Sequence, residues 1–298
     1  MFKLAKELSR QAKSYLNRDE PALLTFLFHS IFNNEEEFKQ KLIDPQQYIT
    51  VDTYRWFLEH FLEAGYEFIS PEQLPGLSPD GKYILSTFDD GYFNNTYVLP
   101  LLEEYRTPAL FFITTDNVIK QECYWWDVVF RELSKQGLER KAISKEQGKL
   151  KALRHPDLVA ELKKRFGENC FTPQGELDRP LTVNELQEFS KHDYVSIGNH
   201  TRNHYILDKY DYDEQKEQID SCSESLEKIL GCKSNIIAYP NGNYNETTLK
   251  VCSDFEFGIT VKKRKNPIPL QNPLELGRHV LWGNKPLKRQ CDIIRSNW

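Results

Sequence analysis

The stretch STFDDGYFNN, residues 86–95, sets two carboxylates side by side, Asp89 and Asp90, where an apolar run ends. Like charges so placed repel each other unless a positive group sits beside or between them. A second polar stretch, GNHTRNH at 198–204, carries His200 and His204 four residues apart. If that stretch turns helically, both imidazoles face one side, about 5–6 Å apart at Cβ. Such a pair suits two ligands of one divalent metal, and a third ligand would leave a position open for water. Asp90 is the candidate third ligand. A metal can lower the pKa of a water molecule from about 15.7 toward ~7. Asp89, next in the chain, could then accept the proton as that water attacks a carbonyl. Either motif alone has an ordinary reading as a turn or a polar loop. Both together, each closing a strand, are harder to set aside.

Positioning these groups requires a sheet. Short apolar runs bounded by polar or turn residues predict strands at 22–28, 66–69, 83–88, 109–113, 194–198, 236–239, 257–261 and 276–281. Helical spacing predicts a helix over 52–64, with Tyr54, Phe57, Phe61 and Leu62 on one face and Gly65 as its stop. A second predicted helix, 211–230, carries Ile219, Leu226, Ile229 and Leu230 ahead of Gly231. Strand–helix alternation implies a parallel sheet with helices outside. The expected fold is therefore α/β, a distorted or incomplete (β/α) barrel of seven to eight parallel strands. In such barrels the C-terminal strand ends carry the active face, which is where Asp89 and His200 fall. Residues 120–182 are charged, mostly helical, and interrupt the alternation. They read as an insertion on the barrel, with the aromatic YWWDVVF at its start as an anchor or a lid.

The chain has 298 residues and a net charge of −5, with lysine and arginine scattered rather than gathered in a stripe, so nucleic acid is not an expected partner. No apolar stretch reaches the ~20 residues needed to cross a bilayer. Residues 1–21 read as an amphipathic helix packed on the domain, and 22–298 as the barrel with its insertion. Lys3, Lys6, Arg10 and Lys13 of that helix could touch an anionic membrane, although Glu7, Asp19 and Glu20 dilute the charge. The six cysteines include no CxxC pair. With no secretory signal in the N-terminal stretch, they read as reduced thiols of a cytoplasmic protein, with peripheral membrane contact through the N-terminal helix as a further expectation.

The motifs TFDDG (87–91), HTRNH (200–204) and AYPNGNYN (238–245) occur in that order, and the sequence resembles polysaccharide deacetylases with the NodB homology domain, carbohydrate esterase family 4. The resemblance spans roughly residues 22–285 and includes ALLTFLFHSI and AGYEFISPEQL. It implies a distorted (β/α) barrel and metal-dependent removal of an N- or O-acetyl group from a sugar. On this resemblance Asp89 is the general base, and Asp90, His200 and His204 hold the metal. Zinc is the ion that best suits a His₂Asp set. Tyr239, Pro240 and Asn241 would line the acetyl pocket, where a backbone N–H could meet the oxyanion.

The chain departs from the family pattern in the third motif. Ala238 stands where many members have an arginine that steadies the base, and Asn241 where an aromatic is common. In LELGRHVLW, Arg278 could supply the missing charge and His279 the general acid, since imidazole titrates in the right range. His29, closing the first strand, could contact substrate or support a residue that does. His60, His155 and His192 read as surface residues. The expected substrate is an acetylated sugar or glycan precursor, with cell-surface polysaccharide metabolism as the setting. The alternative is a non-catalytic carbohydrate-binding protein on a decayed scaffold. A glycosidase is disfavoured, because its two carboxyls must stand ~5–9.5 Å apart across the scissile bond.

Overall fold

The computed structural model describes residues 20–296. The expected N-terminal helix and its membrane contact lie almost wholly outside the described residues. Among the described residues the strands are β1 (Ala22–Phe28), β2 (Glu67–Phe68), β3 (Lys82–Phe88), β4 (Ala109–Ile113), β5 (Val195–Asn199), β6 (Ile236–Ala238), β7 (Phe257–Ile259) and β8 (His279–Val280). They run in the order β7-β6-β5-β4-β3-β1-β8, and β2 also pairs with β3. Every paired strand is parallel. The result is an open, curled sheet, a half-barrel flanked by helices. Beyond its edge strands, the stretch before β8 bonds back to β7, with the Leu276 amide on the Gly258 carbonyl at 2.8 Å.

Strand parity decides which side chains meet the site. Successive residues of a strand face opposite sides. Leu23, Leu85, Leu110 and Phe112 form an inner cluster with Ile236 and Ala238. Leu24, Phe26, Phe28, Ile84, Phe88 and Phe111 join the outer cluster beneath the helices. The inner parity of β1 therefore runs 23, 25, 27 and on to His29, and that of β3 runs 85, 87 and on to Asp89. The register pairs Phe28 with Phe88, and the Asp89 amide donates to the Phe28 carbonyl at 2.9 Å. His29 and Asp89 thus leave adjacent strand ends side by side.

The helices form where capping and amphipathicity coincide. The helix Val51–Glu63 starts at Thr50, whose hydroxyl accepts from the Thr53 amide, and it buries Tyr54, Phe57, Leu58 and Phe61. The helix Tyr212–Leu230 starts in a capping box between Asp211 and Glu214 and ends at Gly231, which takes the left-handed conformation (φ 77°). The interrupting segment contains the helices Trp125–Lys135, Arg140–Leu150 and His155–Phe166. Their apolar faces form a cluster that also takes in Phe32, Ile43 and Tyr92. Within it the Arg131–Asp178 pair is fully buried at 2.6 Å. The tryptophans at the start of the segment anchor it, and they also reach the cavity described next.

Candidate active site

Asp89 and Asp90 are both buried, at 4% and 1% exposure, and their surroundings differ. Asp89 continues the inner parity of β3 and meets Arg278, which approaches from the segment leading into β8. The guanidinium donates to both carboxylate oxygens, Nη1 to Oδ1 at 2.7 Å and Nη2 to Oδ2 at 2.8 Å. Arg278 is itself held by the Thr260 carbonyl at 2.9 Å and the Thr87 hydroxyl at 3.2 Å. Burial alone would raise the Asp89 pKa, but Arg278 outweighs it and holds the group down at about 2. The charge that Ala238 does not carry is therefore present, brought from a different strand.

Asp90 has no such partner. Its φ of 81° is left-handed, an uncommon conformation for a residue with a side chain. Its carbonyl is fixed by the Thr114 amide at 3.1 Å and the Tyr124 hydroxyl at 2.7 Å. The turn sends the carboxylate toward the histidines. Oδ1 lies 3.5 Å from His200 Nε2 and 3.5 Å from His204 Nε2. Neither Asp90 oxygen has a hydrogen-bond partner among the described residues. The expected helical turn over 200–204 does not form. The stretch is a loop in which Thr201 and His204 take positive φ, 63° and 54°. The rings nonetheless converge, with centroids 5.0 Å apart, because two left-handed residues reverse the chain within five positions.

His200 Nδ1 bonds the Ala238 carbonyl at 2.8 Å, which leaves Nε2 facing Asp90. Burial pulls the His200 imidazole down, but Asp89 and Asp90 outweigh it and leave its pKa raised. Burial dominates at His204 and lowers it to about 3. A neutral imidazole and a bare buried carboxylate facing each other call for a cation. The ligand atoms of Asp90, His200 and His204 all lie within 4.8 Å of one another, so the donor set fits a divalent ion.

A cavity of about 470 Å³ opens over these groups. Its floor includes Asp89, Asp90, His204, His29 and Leu27, and its rim includes Asn241, Val261 and Trp282. Trp125, Trp126, Arg140, Ser144, Gln147 and Lys151 of the interrupting segment form the facing wall, together with Asp44. Sequence reasoning left this wall unread. The Trp pair was the only signal for it, since nothing in Asp44 or Gln147 taken alone points to a site. Asp44 ties the wall together through Arg140 at 2.7 Å and Gln147 at 2.9 Å. Lys151 reaches Asn241 Oδ1 at 2.8 Å.

Other expected site residues fall elsewhere. His279 lies on the opposite face of its segment from Arg278. It pairs with Phe26 in register and packs against that ring at 5.9 Å, on the helix side of the sheet. Burial lowers its pKa to about 4. Parity is the reason: two adjacent strand residues cannot both face Asp89. Tyr239 is fully buried, with its hydroxyl on the Leu274 carbonyl at 2.8 Å, so its side chain does not line the cavity. Pro240 is also buried, and of the three only Asn241 lines the cavity. The Tyr239, Gly242 and Asn243 amides donate to the Ile259, Tyr239 and Pro240 carbonyls. His60, His155 and His192 are half-buried, and none joins the group.

The family model for polysaccharide deacetylases matches residues 76–259. The chain belongs to the polysaccharide deacetylase family. Its fold resembles that of Streptococcus pyogenes deacetylase PplD, solved in complex with acetate, at a TM-score of 0.61 and 20% identity over 94% of this chain and 99% of that one. A de-N-acetylase from Aggregatibacter actinomycetemcomitans aligns at TM-score 0.62 and 14% identity over 91% and 99%. A polysaccharide deacetylase from Bacillus cereus aligns at 0.63 and 16%, covering 92% of this chain and 69% of that one. A Bacillus subtilis relative bearing the family name, YxkH, is 29% identical over 84 residues, only 28% of this chain and 30% of its own length. The family is generally metal-dependent, which agrees with the chemistry of the Asp90–His200–His204 group. Among the described residues no helix is long and apolar enough to cross a membrane.

Proposed function

We propose that this polysaccharide deacetylase hydrolyses an acetyl group, preferentially N-acetyl, from a sugar of a glycan or glycan precursor. Asp90, His200 and His204 would hold one divalent ion, zinc by ligand preference. When bound, that ion supplies Lewis-acid polarisation of the substrate carbonyl and acidification of water. Asp89 takes the proton from the attacking water. Arg278 keeps Asp89 ionised and fixes its plane, while each carboxylate oxygen retains a lone pair for the proton. The Asn241 amide is the donor in its loop suited to a developing oxyanion. Trp125, Trp126 and Trp282 offer apolar surfaces on which a sugar ring packs while its hydroxyls meet Asp44, Gln147 and Lys151.

The observation that carries this reading is the buried Asp90 carboxylate, without a hydrogen bond and facing two imidazole nitrogens beside an Arg-paired Asp89. The non-catalytic reading rests on the altered third motif, and Arg278 supplies the charge that Ala238 lacks there. The six unpaired cysteines suit a reducing compartment, so a cytoplasmic precursor of a surface glycan is the substrate we favour. The test is acetate release from N-acetylglucosamine oligomers by the zinc-loaded chain, compared with Asp89→Asn. Release by the parent and its loss in the variant is the expected result. Equal release by both would overturn the assignment.

A further inference from the structure

Asp90 meets the imidazoles from a left-handed turn, φ 81°. A residue with a side chain keeps that conformation only where its surroundings over-determine it. Two donors converge on the Asp90 carbonyl to do so. One is the Thr114 amide, just past β4, at 3.1 Å. The other is the Tyr124 hydroxyl at 2.7 Å. Tyr124 belongs to the interrupting segment, not to the sheet, and caps the helix Trp125–Lys135.

His204 is held by the same segment in another way. A ligating imidazole is ordinarily oriented by a hydrogen bond at its second nitrogen, as His200 is by the Ala238 carbonyl. His204 Nδ1 is buried and has no such partner among the described residues. Its ring packs instead on Trp126, with centroids 4.7 Å apart and planes at 59°. Tyr124 and Trp126 stack on each other at 5.1 Å, with 15° between their planes. Trp126 Nε1 donates to the Tyr92 hydroxyl at 2.8 Å, which donates in turn to Asp127 Oδ2 at 2.5 Å. Tyr92 stands two residues after Asp90, so these contacts close back on the turn they support. Tyr92 and Tyr124 are both buried, and solvent does not replace a bond lost there.

We propose that Tyr124 and Trp126 are positioning residues for the Asp90–His200–His204 group: the interrupting segment braces Asp90 through its carbonyl and His204 through its ring. The assignment rests on the ion-binding reading above. It makes the segment a structural part of the ion site as well as a wall for the sugar. Coupling between two sites is reciprocal. Occupancy of the ion site must therefore steady the start of the helix Trp125–Lys135, just as that start steadies the ligands.

The experiment measures zinc affinity of the full chain by competition with a chromophoric chelator. Tyr124→Phe keeps the buried ring and removes only the hydroxyl, and Tyr124 does not line the cavity over Asp90. It should weaken zinc binding by about 10–100-fold. It should also alter the visible absorption of the cobalt(II)-loaded chain, which reports ligand geometry. Tyr54→Phe is the control, because that hydroxyl is equally buried but bonds Ser86 Oγ, at 2.9 Å. It should leave zinc affinity within ~3-fold of the parent. A second measurement needs no variant to fold. The Asp127 and Val128 amides bond the Tyr124 carbonyl, and their hydrogen exchange in the parent should slow by ~5-fold or more on zinc loading. Amides of the helix Val51–Glu63 should not respond. Undiminished zinc affinity in Tyr124→Phe, an equal loss in Tyr54→Phe, or unchanged exchange at Asp127 and Val128 would each overturn the proposal. If the parent binds no zinc, the ion reading itself fails and takes this one with it.

Discussion

The floor of the cavity and its wall are built on different principles. The floor hangs from strand ends: Asp89 follows β3, His29 follows β1 and His200 follows β5, each within one or two residues of a paired strand. Its ion pair is sealed, with Arg278 at 0% and Asp89 at 5% side-chain exposure. The wall hangs from helices of the interrupting segment and the loop at Asp44. Its ion pair is half-open, with Arg140 at 37% and Asp44 at 4%. Sealed charges set a reaction's electrostatics, because they neither relax nor are screened. Half-open polar groups on helices suit recognition, where hydroxyls replace water one for one.

The comparison breaks if floor and wall variants behave alike. The largest effect should come from Asp90→Ala. It should abolish stoichiometric zinc retention, read by metal analysis after dialysis, and lower kcat/KM by ~10³-fold or more, the several kcal/mol that a bound ion contributes. Next, Arg278→Met strands a buried carboxylate and should destabilise the fold by about 3–5 kcal/mol in urea unfolding. Arg140→Met, at the half-open pair, should cost about 1 kcal/mol or less. Similar losses for the two would erase the distinction between floor and wall.

A smaller effect sharpens it. Lys151→Ala removes a contact between wall and rim and should raise KM on a glycan oligomer by roughly 10-fold with kcat within ~3-fold, the signature of uniform binding. A fall in kcat with unchanged KM would move Lys151 to the catalytic side. The smallest effect is in acid stability. Asp89 lies below its ordinary value of 3.8, at about 2 in the folded chain. The stability this group contributes is therefore present above about pH 4 and is lost as pH falls toward 2. Asp89→Asn should flatten that part of the stability–pH curve. An unchanged slope between pH 4 and 2 would show that Arg278 does not hold the group down.

The sequence by itself determined the strand ends and much of what hangs from them. Short apolar runs bounded by polar residues set where each strand stops, and Asp89, Asp90, His200 and His204 lie close enough to those ends for local spacing to reveal them. Arg278 was legible as the missing charge beside Asp89, and His279 misled because a sequence shows adjacency but not parity. Only the tertiary structure decided that Arg278, 189 positions from Asp89, turns inward to meet it while His279 turns out. It also decided that Asp44, Gln46, Arg140 and Gln147 gather around one cavity. The physical reason is range: period and capping act over a few residues and can be read from them, whereas a wall assembled from separate helices and loops exists only once burial has brought them together.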